Sequence, residues 1–420
     1  MLLSILALTS ALAAAPEAEL AIGIRSENRA GVASIIPGQD PVAVADFVLV
    51  PSLSLGLLSA SGGLRISYQP RLFQRVPLSA GFKPLLFQQF DGVFNWRLSD
   101  VWNLGINVRG GVGSVNYTYA GTAFQASNPD VRQDPPVADE TLSFGNLNAG
   151  LTNEIRVGPT TRIRFGGSAQ YTAATNTDQL ANALPRQIRV SGAGGFTFTP
   201  NGRDGLDVIF TGDMADFLDV ANHTLGFFSA RVGWIRTVDR RTQCTAHVGA
   251  LLLLSPSTPD QPRDPVSAAP AGDLGCTFGL IRTLDVRGNL AIQLGVQGYA
   301  DPIRVSVTPR AIASAAFSLQ LPPDWTLGVV GNFYTPIAGP LVGAGASSIY
   351  LAETLIEGRL PITYRVSDEF QLEGGARFLT RGPRFTDPAF RFGAIEGQGY
   401  LALSFGYSTR ENRHQRDQVR

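Results

Sequence analysis

The sequence predicts an all-β fold, a single transmembrane antiparallel β-barrel of about 18 strands, with 16 to 18 as the range. Three observations indicate this fold. Apolar and polar residues alternate with a period of two from one end of the chain to the other. The connections between the alternating runs are by turns short and long. After the N-terminal segment no apolar stretch reaches the roughly 20 residues of a transmembrane helix, and the densest run is the four leucines at 251–254.

The alternating runs have the length of membrane-crossing strands. Trp102, Leu104, Ile106 and Val108 share one face, and the same spacing recurs at 370–378. Runs of about 10 to 15 residues are long for a soluble sheet and suffice to cross a bilayer at a tilt. The uniformly apolar face is therefore assigned to lipid and the opposite face to an aqueous lumen. Closure into a barrel follows because unpaired strand edges are not tolerated in hydrocarbon.

The spacing of the connections sets the number of strands. Short connections occur at 60–63, 99–101, 158–161, 200–204, 238–241, 283–286, 321–324 and 366–369. These eight turns join sixteen strands, and a first and a last strand bring the number to 18. Longer polar connections, such as 118–140 and 255–272, lie between them. Short periplasmic turns and longer extracellular loops are typical of outer-membrane barrels.

The two ends of the chain are predicted to lie outside the barrel. An apolar run from Leu2 to Leu12 precedes a small-residue cleavage site and acidic residues, which predicts a signal peptide at 1–15. Residues 16–409 are then the barrel, and 410–420 form a charged C-terminal tail. The predicted location is the outer membrane of a Gram-negative cell.

Composition limits the partners. The formal net charge is zero with 16% charged residues, which argues against nucleic acid as a partner. The sequence contains no recognisable metal-ligand cluster, phosphate-binding glycine loop or nucleophile elbow, so no metal, cofactor or catalytic residue is predicted. The expected partners are outer-membrane lipid and a hydrophilic solute.

The tryptophans are predicted to form an aromatic girdle at one membrane interface. They are Trp96, Trp102, Trp234 and Trp325. Each lies near a short turn and none lies in a long loop. Aromatic rings at that position sit between hydrocarbon and water.

The positions between the apolar residues name the predicted pore lining. Its charged members are Asp91, Arg97, Arg109, Glu154, Arg156, Arg164, Arg189, Arg231, Arg310, Glu353, Glu373, Arg377 and Glu396. Arginine dominates from 97 to 231, whereas glutamates, including Glu357, gather on the last three strands. Two arrangements stay open: opposite arcs that set up a transverse field across the pore, or pairs between neighbours along the wall.

Two local features also allow alternatives. Loop 119–140 either constricts the lumen or forms a surface lid. Cys244 and Cys276 lie on neighbouring strands with apolar parity. Disulfides between adjacent strands are geometrically awkward, so two free cysteines facing lipid are expected in preference to a disulfide.

Histidine chemistry gives a rival function. His223 follows Asp213, Asp216 and Asp219 near the predicted rim, where an aspartate–histidine pair could activate water as in the omptin proteases. His247 alternates with Thr245 and is predicted to face the lumen. A barrel enzyme acting at the extracellular rim is therefore one alternative, and a structural or adhesive barrel with a plugged lumen is another.

The segment GYLALSFGYSTR at 399–410 places Leu401, Leu403, Phe405 and Tyr407 at barrel parity, and the whole mature chain resembles the outer-membrane porin class. The hairpin FVLVPSLSLGLLSASGGLRISYQPRLF at 47–73 is similar to barrels that partner polysaccharide-export proteins. That second resemblance implies an 18-stranded pore, a secreted polymer as cargo and a periplasmic export protein as partner. The function predicted is a passive, water-filled channel for hydrophilic solutes, with polysaccharide export as a specialisation.

Overall fold

A computed structural model describes residues 17–33, 42–76, 84–116, 141–174, 186–218, 224–239, 241–254, 266–283, 286–301, 306–337, 354–382 and 394–409. The predicted signal peptide at 1–15, the loop at 119–140 and the charged tail at 410–420 lie outside the described residues.

Eighteen β-strands make up the described chain. They are β1 (Glu17–Ala33), β2 (Val42–Ser59), β3 (Gly62–Val76), β4 (Leu85–Arg97), β5 (Trp102–Asn116), β6 (Thr141–Arg156), β7 (Thr161–Ala174), β8 (Gln187–Phe198), β9 (Asp204–Phe217), β10 (Thr224–Thr237), β11 (Thr242–Leu254), β12 (Val266–Arg282), β13 (Arg287–Asp301), β14 (Ser306–Leu321), β15 (Trp325–Pro336), β16 (Thr354–Arg365), β17 (Phe370–Gly382) and β18 (Ala394–Ser408).

The strands form one closed antiparallel sheet. Each strand pairs with the next along the chain, and β1 pairs with β18 from Ala21 opposite Ser408 to Ala33 opposite Glu396. The predicted barrel of 18 strands is confirmed. All eight predicted short connections join consecutive strands, from β2–β3 through to β16–β17. They lie at one end of the barrel, called here the short-turn end, and the other end is called the far end.

Alternation places large apolar side chains on the outer surface. On β1, Leu20, Ile22 and Ile24 are 39 to 46% exposed, whereas Glu27 and Arg29 on the opposite face are buried. The same holds around the barrel, up to Val248 at 68%. Water-soluble proteins do not expose so continuous an apolar band, and lipid-facing barrels do. Among the described residues no helix has the length and apolarity to cross a membrane.

The four tryptophans lie on the outer surface beside the short turns. They are Trp96, Trp102, Trp234 and Trp325, and each is within a few residues of its strand's short-turn end. The Trp102 indole N–H donates to Asn153 Oδ1 at 3.2 Å, which satisfies its polar edge on the apolar surface. Trp325 stacks on Tyr364 with ring centroids 4.6 Å apart. The guanidinium of Arg236 lies 5.3 Å from the Trp234 ring. This is the placement that the girdle prediction requires.

The prediction of two free cysteines is wrong. Cys244 and Cys276 form a disulfide between β11 and β12. They are direct register partners, with Cα atoms 4.1 Å apart, because the β11–β12 pairing sets Cys244 opposite Cys276. Directly opposite residues in the closely spaced positions of an antiparallel pair bring their Cβ atoms within bridging reach. Parity alone does not reveal which residues on two strands are directly opposite, and the bond depends on that register.

Replacing both cysteines by serine is expected to lower the urea midpoint of the detergent-solubilised barrel. The disulfide closes a segment with a sequence separation of 32 residues, and loop closure in the unfolded chain corresponds to about 4 kcal/mol for such a loop. Circular dichroism against urea measures the shift, and mass spectrometry of unreduced peptides checks the linkage. Recovery of both thiols unlinked from protein folded under oxidising conditions would contradict the bond.

Candidate functional site

The candidate site is the inner wall of the barrel. Eleven of the thirteen charged residues predicted for the pore lining lie on the face opposite to the exposed apolar side chains of their strands. They are Asp91, Arg97, Arg109, Glu154, Arg156, Arg164, Arg189, Arg231, Arg310, Glu373 and Arg377. Glu353 lies outside the described residues. Glu396 lies in β18 opposite Ala33, and its side chain lies outside the described part.

The wall encloses a large cavity. Its volume is about 1620 Å³, and its lining residues come from β2 to β10 and from β13 to β15. Asn95, Asn107, Ser168 and Ser191 contribute amides and hydroxyls, and Arg164 contributes a guanidinium. Such groups hydrogen-bond water and hydrophilic solutes, so the interior of the barrel is chemically the opposite of its exterior.

A buried ion-pair network, called here the seam network, joins the first strands to the last. Arg25 of β1 lies 3.1 Å from Glu27 and, across β18, 3.0 Å from Glu373 of β17. Glu27 also pairs with Arg29 at 2.5 Å. The Tyr400 hydroxyl donates to the second oxygen of Glu373 at 3.0 Å. These contacts tie β1, β17 and β18 together where the sheet closes.

A second network lies on the inner face of β8 to β12. His247 Nδ1 is 2.9 Å from Asp273 and its Nε2 is 3.2 Å from Asp207. Asp273 also accepts from Arg231 at 2.5 Å, and Asp207 accepts from the Thr197 hydroxyl at 2.6 Å. The prediction that His247 faces the lumen agrees with this placement. Each ring nitrogen faces a carboxylate, so the ring crosslinks three strands.

The short-turn end of the inner wall carries a group of exposed arginines, called here the arginine crescent. Its members are Arg65, Arg97, Arg156, Arg162 and Arg164, on β3, β4, β6 and β7. Arg65 lies 3.8 Å from Glu19, and Arg97 lies 2.8 Å from Asp100. Glu154 lies 3.7 Å from Arg156 and 3.6 Å from Arg164. Among these described residues five guanidiniums share three carboxylates, so arginine is in excess.

The ion pairs decide between the two arrangements left open by the sequence. Glu357 pairs with Arg359 on its own strand at 2.5 Å. Glu373 pairs with Arg25 two strands away. Arg189 pairs with Asp213 on the adjacent strand at 2.7 Å, and Arg109 pairs with Asp91 next to it. In the described residues the charges therefore pair along the wall, and the glutamates do not face the arginine-rich strands unpaired.

The residues of the rim-enzyme alternative do not converge in the described chain. Asp213 faces inward on β9 and is paired with Arg189, whereas Asp216 is at outward parity and accepts from the Thr224 hydroxyl at 3.1 Å. His223 and Asp219 lie outside the described residues. No group of three His, Cys, Asp or Glu side chains suited to a metal ion occurs in the described part of the chain.

Sequence reasoning missed much of both networks. Arg25 and Glu27 were not predicted as lining residues, nor were Asp207 and Asp273. The signal for the first two was present, because Leu20, Ile22 and Ile24 mark the outer face of β1 and place the charges between them on the inner face. Which distant strand each charge meets depends on barrel closure, for which the local pattern carries no signal.

Comparisons with known proteins add a likeness of fold. No protein-family model and no curated protein sequence matches the chain. The chain is similar to the outer membrane protein OpdK from Pseudomonas aeruginosa, with 12% identity, a TM-score of 0.45 and coverage of 93% of this chain and 99% of that one. It is also similar to OccAB3 from Acinetobacter baumannii, with 9% identity, a TM-score of 0.45 and the same coverages. The siderophore receptor PiuA from Acinetobacter baumannii is 10% identical, with a TM-score of 0.47 and coverage of 93% of this chain and 82% of that one. Nothing about the cargo of this chain follows from likenesses at this level.

Replacing Glu373 by glutamine is expected to destabilise the closed barrel by about 2 kcal/mol, because it removes one of the two carboxylates that Arg25 contacts and weakens the Tyr400 hydrogen bond. The measurement is the temperature at which the detergent-solubilised protein stops migrating as a compact species in an SDS gel. Glu154→Gln is the matched control. Its arginine partners are more than half exposed, so its effect should stay below about 1 kcal/mol. Equal shifts for the two variants would contradict a structural role for the seam network.

Proposed function

We propose that the protein is a passive, water-filled channel of the Gram-negative outer membrane that passes hydrophilic solutes. The observation that carries this proposal is the contrast between the two faces of one closed sheet. The outer face exposes large apolar side chains, and the inner face carries ion pairs, amides and hydroxyls around a cavity of about 1620 Å³. A barrel with a lipid-facing exterior and a polar, hollow interior is built to conduct water and what dissolves in it.

The lining supports sugars as a cargo class. Asn95, Asn107, Ser191 and Gln293 line the cavity with uncharged groups that both donate and accept hydrogen bonds. Sugar hydroxyls also donate and accept hydrogen bonds. Replacing wall-bound water by a sugar therefore costs little free energy. We therefore propose polysaccharide export as the specialised form of the function, with a periplasmic export protein as the partner that delivers the polymer.

The arginine crescent supports a preference for anions among charged solutes. Its guanidiniums outnumber the carboxylates beside them, and most of them are more than half exposed to the lumen. A ring or arc of one sign at a pore mouth concentrates ions of the opposite sign. Anionic solutes and acidic polysaccharides are therefore favoured over cations.

Single-channel recording in planar bilayers tests the channel directly. Purified protein should give discrete, ohmic current steps in salt solution. A structural barrel with a plugged lumen gives none, and that result would refute the proposal. A rim hydrolase would instead lose an enzymatic activity on His223→Ala while its conductance stayed the same.

Ion selectivity tests the arginine crescent. In a salt gradient the reversal potential should indicate anion preference, and replacing Arg156, Arg162 and Arg164 together by glutamine should lower the anion-to-cation permeability ratio at least about twofold. The control is Arg236→Gln, an exposed arginine at the same end of the barrel but at outward parity. Cation preference in the unaltered protein, or equal effects of the two variants, would contradict the assigned role.

A further inference from the structure

The inner face of β10 and β11 carries apolar side chains, whereas the rest of the described inner wall is mainly polar. Leu225 and Phe227 of β10 and Leu251 of β11 lie at inward parity, because Phe228 and Leu252 beside them are outward and 49% and 45% exposed. Leu225 and Leu251 are nevertheless completely buried. Since the outer surface lies on the other side of the strand, something inside the barrel covers them.

The covering element is the far end of the β13–β14 pair. Val307 of β14 belongs to the same buried apolar cluster as Leu225 and Leu251. Gly298 of β13 lies so close to Phe227 that a Cβ atom there would be 2.4 Å from the ring Cγ. Thr308 and Arg310 are only 8% exposed, so this segment is covered on both faces, unlike a strand that separates lipid from water.

Strand spacing shows that the wall folds inward here. Adjacent strands lie about 4.8 Å apart, so strands three and four positions apart around a wall are separated by roughly 14 and 19 Å. Cα atoms of β10 nevertheless approach those of β13 and β14 within 8 Å. The contacts involve the inner side chains of β10 and β11, so the far end of β13–β14 leans into the lumen.

The residues that line the cavity agree with an inward position of the far end of β13–β14. Gln297, Gly298 and Arg310 line it, and so do residues of β4 and β5 on the opposite side of the barrel. None of its described lining residues belongs to β11 or β12, the two strands between β10 and the β13–β14 pair. The open passage therefore runs between the far end of the β13–β14 pair and the opposite wall formed by β4 and β5.

We propose that this segment, residues 297–301 and 306–310, called here the inward hairpin, is the constriction of the channel and sets the size limit of its solutes. The inference rests on the proposed channel function and names the element that determines its selectivity by size. The inward hairpin packs against apolar side chains of β10 and β11. These include Leu251 and Leu253 of the four-leucine run, and this apolar contact holds the hairpin against the wall.

Shortening the hairpin tests its role in conduction. Val296 and Ala311 are register partners, so residues 297–310 can be replaced by an Asn-Gly turn without changing the pairing below. The single-channel conductance should rise at least about twofold, because the narrowest cross-section widens. Deletion of residues 121–138, a loop excision at the same end, is the control and should leave the conductance unchanged. An unchanged conductance on shortening, or an increase only on the loop deletion, would overturn the inference.

A crosslink tests the position of the hairpin independently of conduction and of large deletions. Phe227→Cys combined with Gly298→Cys should form a disulfide on oxidation, detected by mass spectrometry of unreduced peptides, since the native cysteines are already paired with each other. Phe227→Cys with Gly358→Cys, on the outward parity of β16, should not. Absence of the 227–298 crosslink would refute the placement. If the crosslink forms but the unaltered protein conducts nothing, the proposed channel function fails while the fold of the hairpin stands.

Discussion

The whole structure depends on one constraint: inside a bilayer, every backbone N–H and C=O group must find a partner within the protein. The β1–β18 ladder meets it, because it leaves no edge strand in the sheet. Once the sheet is closed, period-two alternation divides the side chains into a lipid-facing set and an enclosed set. The apolar exterior, the polar interior and the cavity are all consequences of that closure.

Closure also brings together charges that are far apart in the chain. Arg25 and Glu373 are separated by 348 residues and meet beside the closing ladder, where Tyr400 and Glu27 complete their hydrogen bonds. Pairs of this kind occupy most of the enclosed acidic groups and leave the arginine crescent as the sector of net positive charge. The inward hairpin narrows the lumen from a different sector. Electrostatic preference and size limit are thus assigned to separate parts of the wall in the proposed channel.

The sequence predicted the fold class, the strand number and all eight short turns, because alternation and turn residues are local signals. Eleven of the charged residues that it named by parity lie on the face opposite to the exposed apolar side chains. It could not predict the Cys244–Cys276 bond, which depends on register, or the Arg25–Glu373 pair, which depends on closure. The inward hairpin was missed for another reason. A strand with apolar residues on both faces, such as β11 at the leucines 251–254, has no period-two signal that would show which of its faces is covered from within the barrel.

Fluorescence quenching by brominated lipids tests most directly whether the outer apolar side chains contact hydrocarbon. The four tryptophans lie on the outer face at one end of the barrel, and excitation at the red edge of their absorption band selects them over the ten tyrosines. In reconstituted bilayers, bromines near the headgroup should quench their emission strongly, and bromines near the chain ends should quench it much less. Emission that is insensitive to bromines at every depth would mean that these rings never meet lipid, and the account of the exterior would be wrong.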